Sequence, residues 1–186
     1  MILNELNIIL NDVGKTSNDF DLFIETGSYI GETLDNVKSE FKKLISIEIT
    51  EKYFTFCKHK FANDINIEMI REDSLIELPK LIDVYYNKKI IFFLDAHYSA
   101  GDTGKNNIDV PLIEELKIIR DKYINEGLII IDDADLFEHV HPLVSWAGIN
   151  EKNILGALEN RVNVYFYKQN IKPPEKKRLI IDLKKW

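Results

Sequence analysis

The sequence has little of several features that would assign it to a class at once. Its 186 residues include one cysteine, Cys57, so an intramolecular disulfide is excluded and the chain fits a reducing compartment. No apolar run approaches the length of about 18 residues that a membrane-spanning helix needs, and no signal peptide is recognisable. We therefore expect a cytoplasmic protein without a membrane partner.

Positive charge is also scarce. The chain has 24 Lys and Arg residues against 31 Asp and Glu residues, which gives a net charge of −7. Nucleic-acid-binding proteins commonly carry a basic surface, so we expect no nucleic-acid partner. Internal repeats, low-complexity segments and dividing linkers are also missing, and residues 1–186 are expected to form a single domain.

The sequence does contain a regular alternation of strand and helix patterns. Apolar, β-rich runs predict seven strands, at 20–24, 44–49, 65–70, 89–94, 128–131, 161–168 and 178–183. Helical periodicity predicts helices at 2–11, 30–41, 51–61, 75–86 and 111–123. A loop containing two prolines joins the last two strands, so these should pair antiparallel. The order predicts an α/β fold: a doubly wound, Rossmann-like sheet of seven mostly parallel strands with a terminal antiparallel hairpin.

The end of the first strand carries the most informative motif. It reads Glu25-Thr26-Gly27-Ser28 and leads into a helix, the geometry in which backbone approaches a nucleotide-like ligand. A dinucleotide fingerprint would read G-x-G-x-x-G, whereas this segment reads Glu25-x-Gly27-x-x-x-Gly31. An ordinary turn between a strand and a helix of any α/β protein is the alternative interpretation.

The spacing of this turn resembles motif I of the class I S-adenosylmethionine-dependent methyltransferases, with Tyr29 at the position of the middle glycine. The order of elements is also similar to theirs, since their seventh strand inserts antiparallel beside the fifth. The resemblance implies S-adenosylmethionine as cofactor, with Glu48 on the ribose hydroxyls and the segment after the third strand near the adenine. The cofactor-binding residues expected from it are Glu25, Thr26, Gly27, Ser28, Tyr29, Gly31, Glu48, Ile49, Asp73, Ser74 and Asp95.

Carboxylates end the fourth and fifth strands, where Asp95 and the pair Asp132-Asp133 should meet at one edge of the sheet. Three carboxylates in one cleft are costly unless a cation or a proton offsets their charge. Oxygen ligands select hard ions, with Mg²⁺ the default. The arrangement is similar to the divalent-metal-dependent O-methyltransferases of the catechol and macrocin types, which implies a metal site at Asp95, Asp132 and Asp133. The pair could instead cap the next helix or bind basic residues.

His97 is the predicted general base, with Asp95 as its catalytic neighbour, because the lysine that catechol-type enzymes place after the first aspartate is missing. His97 could also be a second metal ligand, a substrate contact or a loop residue. Weaker candidates for the site or its surroundings are Asp102 and Lys105 in the polar loop 98–109, together with His139, His141 and Trp146. That loop could be a lid or a solvated connection, and Trp146 could line the acceptor pocket or belong to the core.

These observations together predict an S-adenosylmethionine-dependent, metal-assisted O-methyltransferase for a small hydroxylated acceptor such as a sugar. The chain is short, so a second copy in a homodimer could complete the acceptor pocket. Two alternatives stay open at this point. One is a methyltransferase-like binding module without catalysis, and the other is a nicotinamide-dependent oxidoreductase.

Overall fold

The computed structural model describes residues 1–98, 103, 108–159, 162–168 and 177–185, without the side chains of 162–168 and 177. In this part of the chain the helices are α1 (Leu3–Asp12), α2 (Glu32–Val37), α3 (Glu51–Lys60), α4 (Ser74–Tyr85), α5 (Leu112–Lys122) and α6 (Glu151–Leu158). The strands are β1 (Leu22–Thr26), β2 (Leu44–Glu48), β3 (Ile67–Arg71), β4 (Ile90–Leu94), β5 (Gly127–Ile131), β6 (Val162–Lys168) and β7 (Lys177–Leu183). Short 3₁₀ turns occupy Ser17–Asp19 and Ala134–Leu136. None of the described helices is both long and apolar enough to cross a membrane.

The strands form one sheet in the order β3-β2-β1-β4-β5-β7-β6. The pairs among β1 to β5 are parallel, whereas β7 runs antiparallel to both β5 and β6. The predicted α/β class, the seven strands and the antiparallel ending are therefore confirmed.

Both faces of the sheet are buried, because successive strand residues point to opposite sides. Phe92 belongs to the core cluster that α4, α5 and α6 cover, while the next residue, Phe93, belongs to the cluster under α1, α2 and α3. Ile24 and Phe23 divide in the same way. All five residues of β1, β2, β4 and β5 are buried, which explains why these strands are mostly apolar and why β4 is apolar throughout.

The structure differs from the predicted elements in two helices. Helix α6 was not predicted, although Asn150 caps it by accepting a hydrogen bond from the Asn153 N–H at 2.9 Å. The helix has eight residues and contains Gly156, so its apolar pattern repeats over too few turns to be recognised in the sequence. Helix α2 ends at Val37, before the predicted end at 41, and Phe41 packs on Phe23 from the following turn.

The sheet order places a crevice between β1 and β4. The chain leaves β1 toward β2 on one side and reaches β4 on the other, so the loops that follow these strands diverge. In open α/β sheets this switch point is where ligands bind, outside the carboxyl ends of the strands.

Candidate functional site

A cavity of about 580 Å³ opens at this switch point. Its walls come from the loops after β1, β2, β3, β4 and β5 and from the segment that precedes α5. The residues that line it are Gly27, Tyr29, Ile47, Glu48, Ile49, Tyr53, Glu72, Asp73, Ser74, Leu75, Asp95, Ala96, His97, Tyr98, Thr103, Ile108, Asp109, Pro111 and Asp133. Among the lining residues that the structure describes, six are carboxylic acids and none is Lys or Arg, which suits a cationic or neutral ligand.

Gly27 is required by the close approach of β1 and β4. Its φ is +81°, and a Cβ there would lie 2.5 Å from the backbone oxygen of Asp95. Only glycine combines that backbone conformation with so little space. The group that approaches Gly27 in the structure is thus the backbone of Asp95, and Gly27 also lines the cavity.

Glu48 holds the loop that follows β1. One carboxylate oxygen accepts hydrogen bonds from the backbone N–H groups of Ser28 at 3.1 Å and Tyr29 at 2.9 Å. The other accepts the N–H of Thr50 at 2.8 Å. Glu48 is nevertheless at the cavity wall. Its carboxylate therefore shapes the turn and keeps acceptor capacity for a ligand hydroxyl.

Aromatic and apolar side chains form one side of the cavity near Glu48. Tyr29 has a left-handed backbone, with φ of 46°, and its side chain is half exposed. Its ring centroid lies 4.6 Å from that of Tyr53, and Ile49 completes this wall. Flat apolar groups of this kind suit a planar heterocycle or a sugar ring.

The segment after β3 meets the cavity at the first turn of α4. The carboxylate of Asp73 caps this helix by accepting the N–H of Leu75 at 2.9 Å, and Ser74 is the first helical residue. Both line the cavity.

An acid–histidine cluster lies at the ends of β4 and β5. The Nδ1 of His97 is 3.3 Å from a carboxylate oxygen of Asp95, and its Nε2 is 3.5 Å from a carboxylate oxygen of Asp133. Donor atoms from the three residues all lie within 4.8 Å of one another. The ring of His97 packs on Trp146 with a centroid distance of 4.9 Å. Trp146 is buried, so this contact restricts the position of the His97 ring.

The electrostatics of the cluster follow from burial and mutual charge. Burial raises the pKa of Asp95 to about 6, against the opposing effect of the hydrogen bond with His97. Burial disfavours the protonated form of His97, but the hydrogen bond to Asp95 and the charges of Asp95 and Asp133 outweigh it. The pKa of His97 is therefore raised above its usual value. An imidazole so placed can exchange a proton near neutral pH.

Asp132 does not join this cluster. It is buried, and its carboxylate binds Arg178, with the Arg178 Nε at 2.9 Å and the Nη2 at 3.3 Å. Of the three predicted metal ligands the structure thus brings together Asp95 and Asp133, with His97 in the place expected for Asp132. Pairing with a basic residue, the alternative for the pair, holds for Asp132.

Four of the predicted cofactor-binding residues do not line the cavity. Glu25 and Thr26 are buried under the turn, with Glu25 accepting a hydrogen bond from the Ser46 hydroxyl at 2.5 Å. Ser28 is buried and faces Glu48. Gly31 packs on the Phe61 ring, at the start of α2.

The structure does not place the weaker candidate residues at the cavity. His139 and His141 are exposed and lie outside the cavity lining. Asp102 and Lys105 lie outside the described residues, as does most of the loop 98–109. Cys57 is buried in the core, and burial raises the pKa of its thiol to about 11.

Sequence reasoning missed several side chains of the site. Tyr53 and Asp109 line the cavity, and Glu115 is buried beside Ser74 and Thr26. Tyr53 had a detectable signal, because it opens a helix directly after the Glu48 strand end. Arg178 had none, since a basic residue at the start of a strand is ordinarily a solvated one.

Comparison with known proteins gives little at the level of sequence. No protein-family model matches the chain. A curated protein, the serine/threonine-protein kinase SZE1 of Arabidopsis thaliana, is 25% identical over 95 residues. That stretch is 50% of this chain and 30% of the kinase, so the chain spans less than a third of that protein and the match assigns no family.

Solved structures are much more similar. The O-methyltransferase from Bacillus cereus in complex with SAH has a TM-score of 0.70 at 14% identity, over 99% of this chain and 82% of that one. The O-methyltransferase TomG from Streptomyces achromogenes, in complex with SAM, has a TM-score of 0.69 at 10% identity, over 99% and 81%. An rRNA methylase from Streptococcus thermophilus has a TM-score of 0.60 at 12% identity, over 100% and 98%. The chain therefore has the fold of the class I S-adenosylmethionine-dependent methyltransferases.

Proposed function

We propose that this protein is an S-adenosylmethionine-dependent O-methyltransferase for a small hydroxylated acceptor, such as a sugar, assisted by a divalent cation. One observation carries the proposal. The glycine turn with Glu48 and the cluster of Asp95, His97 and Asp133 face the same cavity, at the switch point of a methyltransferase fold. We further propose that residues 1–186 act as one domain.

The residues present fit S-adenosylmethionine. Glu48 offers its remaining acceptor capacity to the ribose hydroxyls, and the wall of Tyr29, Tyr53 and Ile49 lies beside it. Asp73 and Ser74 are placed for the adenine at the next strand end. The acidic lining favours a ligand with a positive sulfonium and ammonium. Glu25, Thr26, Ser28 and Gly31 support this turn from behind.

The donor set also fits a divalent cation. Asp95 and Asp133 supply two carboxylates whose charge balances that of Mg²⁺, or of Mn²⁺, which also accepts oxygen ligands. A bound cation of this kind lowers the pKa of a coordinated hydroxyl. His97, with nitrogens facing both carboxylates, is the group that would take the acceptor's proton.

The mechanism that follows relies on positioning. S-adenosylmethionine supplies an activated methyl group, so the chain has to hold an acceptor oxygen in line with it and exclude water. Placement of that kind is worth about 7–11 kcal/mol of a reaction barrier. Trp146 fixes the ring of His97, and Asp95 orients its Nδ1. The other imidazole nitrogen then faces Asp133 and the cavity.

The charge of the cavity supports a small acceptor over a nucleic acid. The net charge is −7 and the lining is acidic, which opposes a phosphodiester backbone. Similarity to an rRNA methylase is a similarity of fold. The predicted cytoplasmic location and the possible homodimer stay predictions, and light scattering of the purified protein would decide the second.

Methyl transfer from S-adenosylmethionine to a panel of sugars and catechols tests the proposal, with release of S-adenosylhomocysteine as the readout. We expect turnover with Mg²⁺ or Mn²⁺, loss of turnover in EDTA, and no turnover with an rRNA fragment. His97→Gln should lower kcat by a factor of about 10²–10⁴, the usual contribution of a general base. Turnover that EDTA does not affect would remove the cation from the proposal.

A further inference from the structure

Arg178 is the largest of the fully buried side chains. It is the second residue of β7, and it is 2% exposed. Its Nη1 donates to a carboxylate oxygen of Glu5 at 3.0 Å, and its Nε and Nη2 both face Asp132. A planar guanidinium with two carboxylates fixes the position of both.

Glu5, far from Arg178 in the sequence, anchors this network to α1. The same oxygen of Glu5 that binds Arg178 accepts the backbone N–H of Ile2 at 2.9 Å, at the start of α1. The guanidinium is therefore held from α1 as well as from Asp132. Breaking such a buried network leaves a charge without compensation, so the arrangement is rigid.

Asp132 in turn restricts the backbone of Asp133. Its Oδ1, which faces the Arg178 Nε, also accepts the backbone N–H of Asp133 at 3.1 Å. Asp133 has a left-handed backbone with φ of 52°, a conformation that needs local support in a residue other than glycine. This turn sends the Asp133 carboxylate toward His97 while that of Asp132 points to Arg178.

We infer that Arg178 is a positioning residue that keeps Asp132 out of the cation site and, through Asp132, aims Asp133 into it. This inference rests on the cation site of the proposed function. It assigns opposite roles to two adjacent aspartates. Asp133 is the cation ligand, and Asp132 supports the backbone conformation of Asp133 through its hydrogen bond to the Asp133 N–H.

The two aspartates form a matched pair for the test. Mn²⁺ affinity is measured by calorimetry and thermal unfolding by circular dichroism, for the full chain and for the variants Asp132→Asn and Asp133→Asn. Asparagine keeps the Oδ1 acceptor, so Asp132→Asn should change the Mn²⁺ dissociation constant by less than about threefold while lowering Tm. Asp133→Asn should weaken Mn²⁺ binding by about tenfold or more with little change in Tm.

Arg178 itself is tested by whether the role of Asp132 changes without it. The double variant Arg178→Met/Glu5→Gln removes the guanidinium together with the Glu5 carboxylate that would otherwise lose its partner, and Asp132 is released. Adding Asp132→Asn should then weaken Mn²⁺ binding, although it does not do so in the natural chain. Arg178→Lys, which keeps the charge but loses the fork, serves in the same comparison if the double variant does not fold.

The outcomes separate this inference from the proposed function. If Asp132→Asn weakens Mn²⁺ binding as much as Asp133→Asn in the natural chain, Asp132 is a ligand and the inference is overturned while the cation site stands. An equal effect of Asp132→Asn with and without Arg178 also overturns it. If the natural chain binds neither Mn²⁺ nor Mg²⁺, both the inference and the cation of the proposed function fail.

Discussion

Two glycines with nearly the same backbone conformation show how much depends on what surrounds a residue. Gly27 has φ of 81° and Gly148 has φ of 79°. A Cβ on Gly27 would meet the backbone of Asp95 at 2.5 Å, whereas a Cβ on Gly148 would have no atom within 4 Å. The cost of the backbone conformation can therefore be separated from the cost of the contact.

We predict that Gly148→Ala lowers the free energy of unfolding by about 1 kcal/mol, the cost of a left-handed backbone in a residue with a Cβ. Gly27→Ala should lower it by about 2–5 kcal/mol, because β1 and β4 must also separate. Urea unfolding of both variants checks the difference. Equal losses would show that Gly27 is not confined by Asp95.

Glu25 illustrates a carboxyl that the fold keeps protonated. Burial raises its pKa to about 8 from an ordinary value of 4.5, against the effect of the hydrogen bond from Ser46. The folded state thus binds this proton more tightly than the unfolded state. The stabilisation is complete below about pH 4.5 and is lost as the pH rises through about 8.

The free energy of unfolding should accordingly fall between pH 5 and pH 8, by up to about 1.4 kcal/mol per pH unit for this group. Glu25→Gln, which resembles the protonated form, should reduce that slope. Glu115, whose pKa burial raises to about 7, contributes in the same direction and keeps some slope in the variant. Denaturant unfolding across this pH range measures it. The exposed Glu32→Gln is the control, and an unchanged slope in Glu25→Gln would contradict the account.

The segment between β5 and α6 supports the acid–histidine cluster, because it carries Trp146. The chain runs through the 3₁₀ turn Ala134–Leu136 and returns so that Trp146 reaches both His97 and Phe137. Trp146 is buried and contacts the acid–histidine cluster through His97. Its burial supports the core interpretation of this residue, and its contact with His97 gives that core position a functional consequence.

Trp146→Leu should lower kcat by about 10–100-fold with a smaller effect on KM, because His97 loses the ring that holds it and a small displacement of a base is costly. Phe137→Leu, which removes a contact to Trp146 but none to His97, should have a much weaker effect. Steady-state kinetics of the two variants and of Trp146→Phe test this. A loss of the same size in Phe137→Leu would indicate general loosening of the segment.

Across the whole molecule, the fold was more predictable than the site. Continuous apolar strands such as β4 indicate a sheet buried on both faces, and the sequence Pro173-Pro174 between the last two strands predicts that they pair antiparallel. The strand ends then follow from topology, which is why Glu48, Asp73 and Asp95 were expected at the cavity and line it.

The remainder depended on contacts between distant parts of the chain. Asp132 and Asp133 are chemically identical neighbours, and contacts with distant residues distinguish them: Arg178, 46 residues from Asp132, binds Asp132, whereas Asp133 faces His97. Glu25 belongs to a ligand-binding pattern, yet the packing of β1 against Ser46 in β2 buries it. Long-range burial of this kind leaves no local pattern in a single sequence.

Calorimetric titration with S-adenosylhomocysteine tests the central claim most directly. The folded protein should bind one equivalent with micromolar affinity. Glu48→Gln should weaken binding by about tenfold or more, because an amide cannot accept both from the turn and from a ribose hydroxyl as the carboxylate does. The exposed Glu32→Gln should bind as the natural chain does. Failure of the natural, folded chain to bind S-adenosylhomocysteine would contradict the assignment of this cavity to the methyl donor.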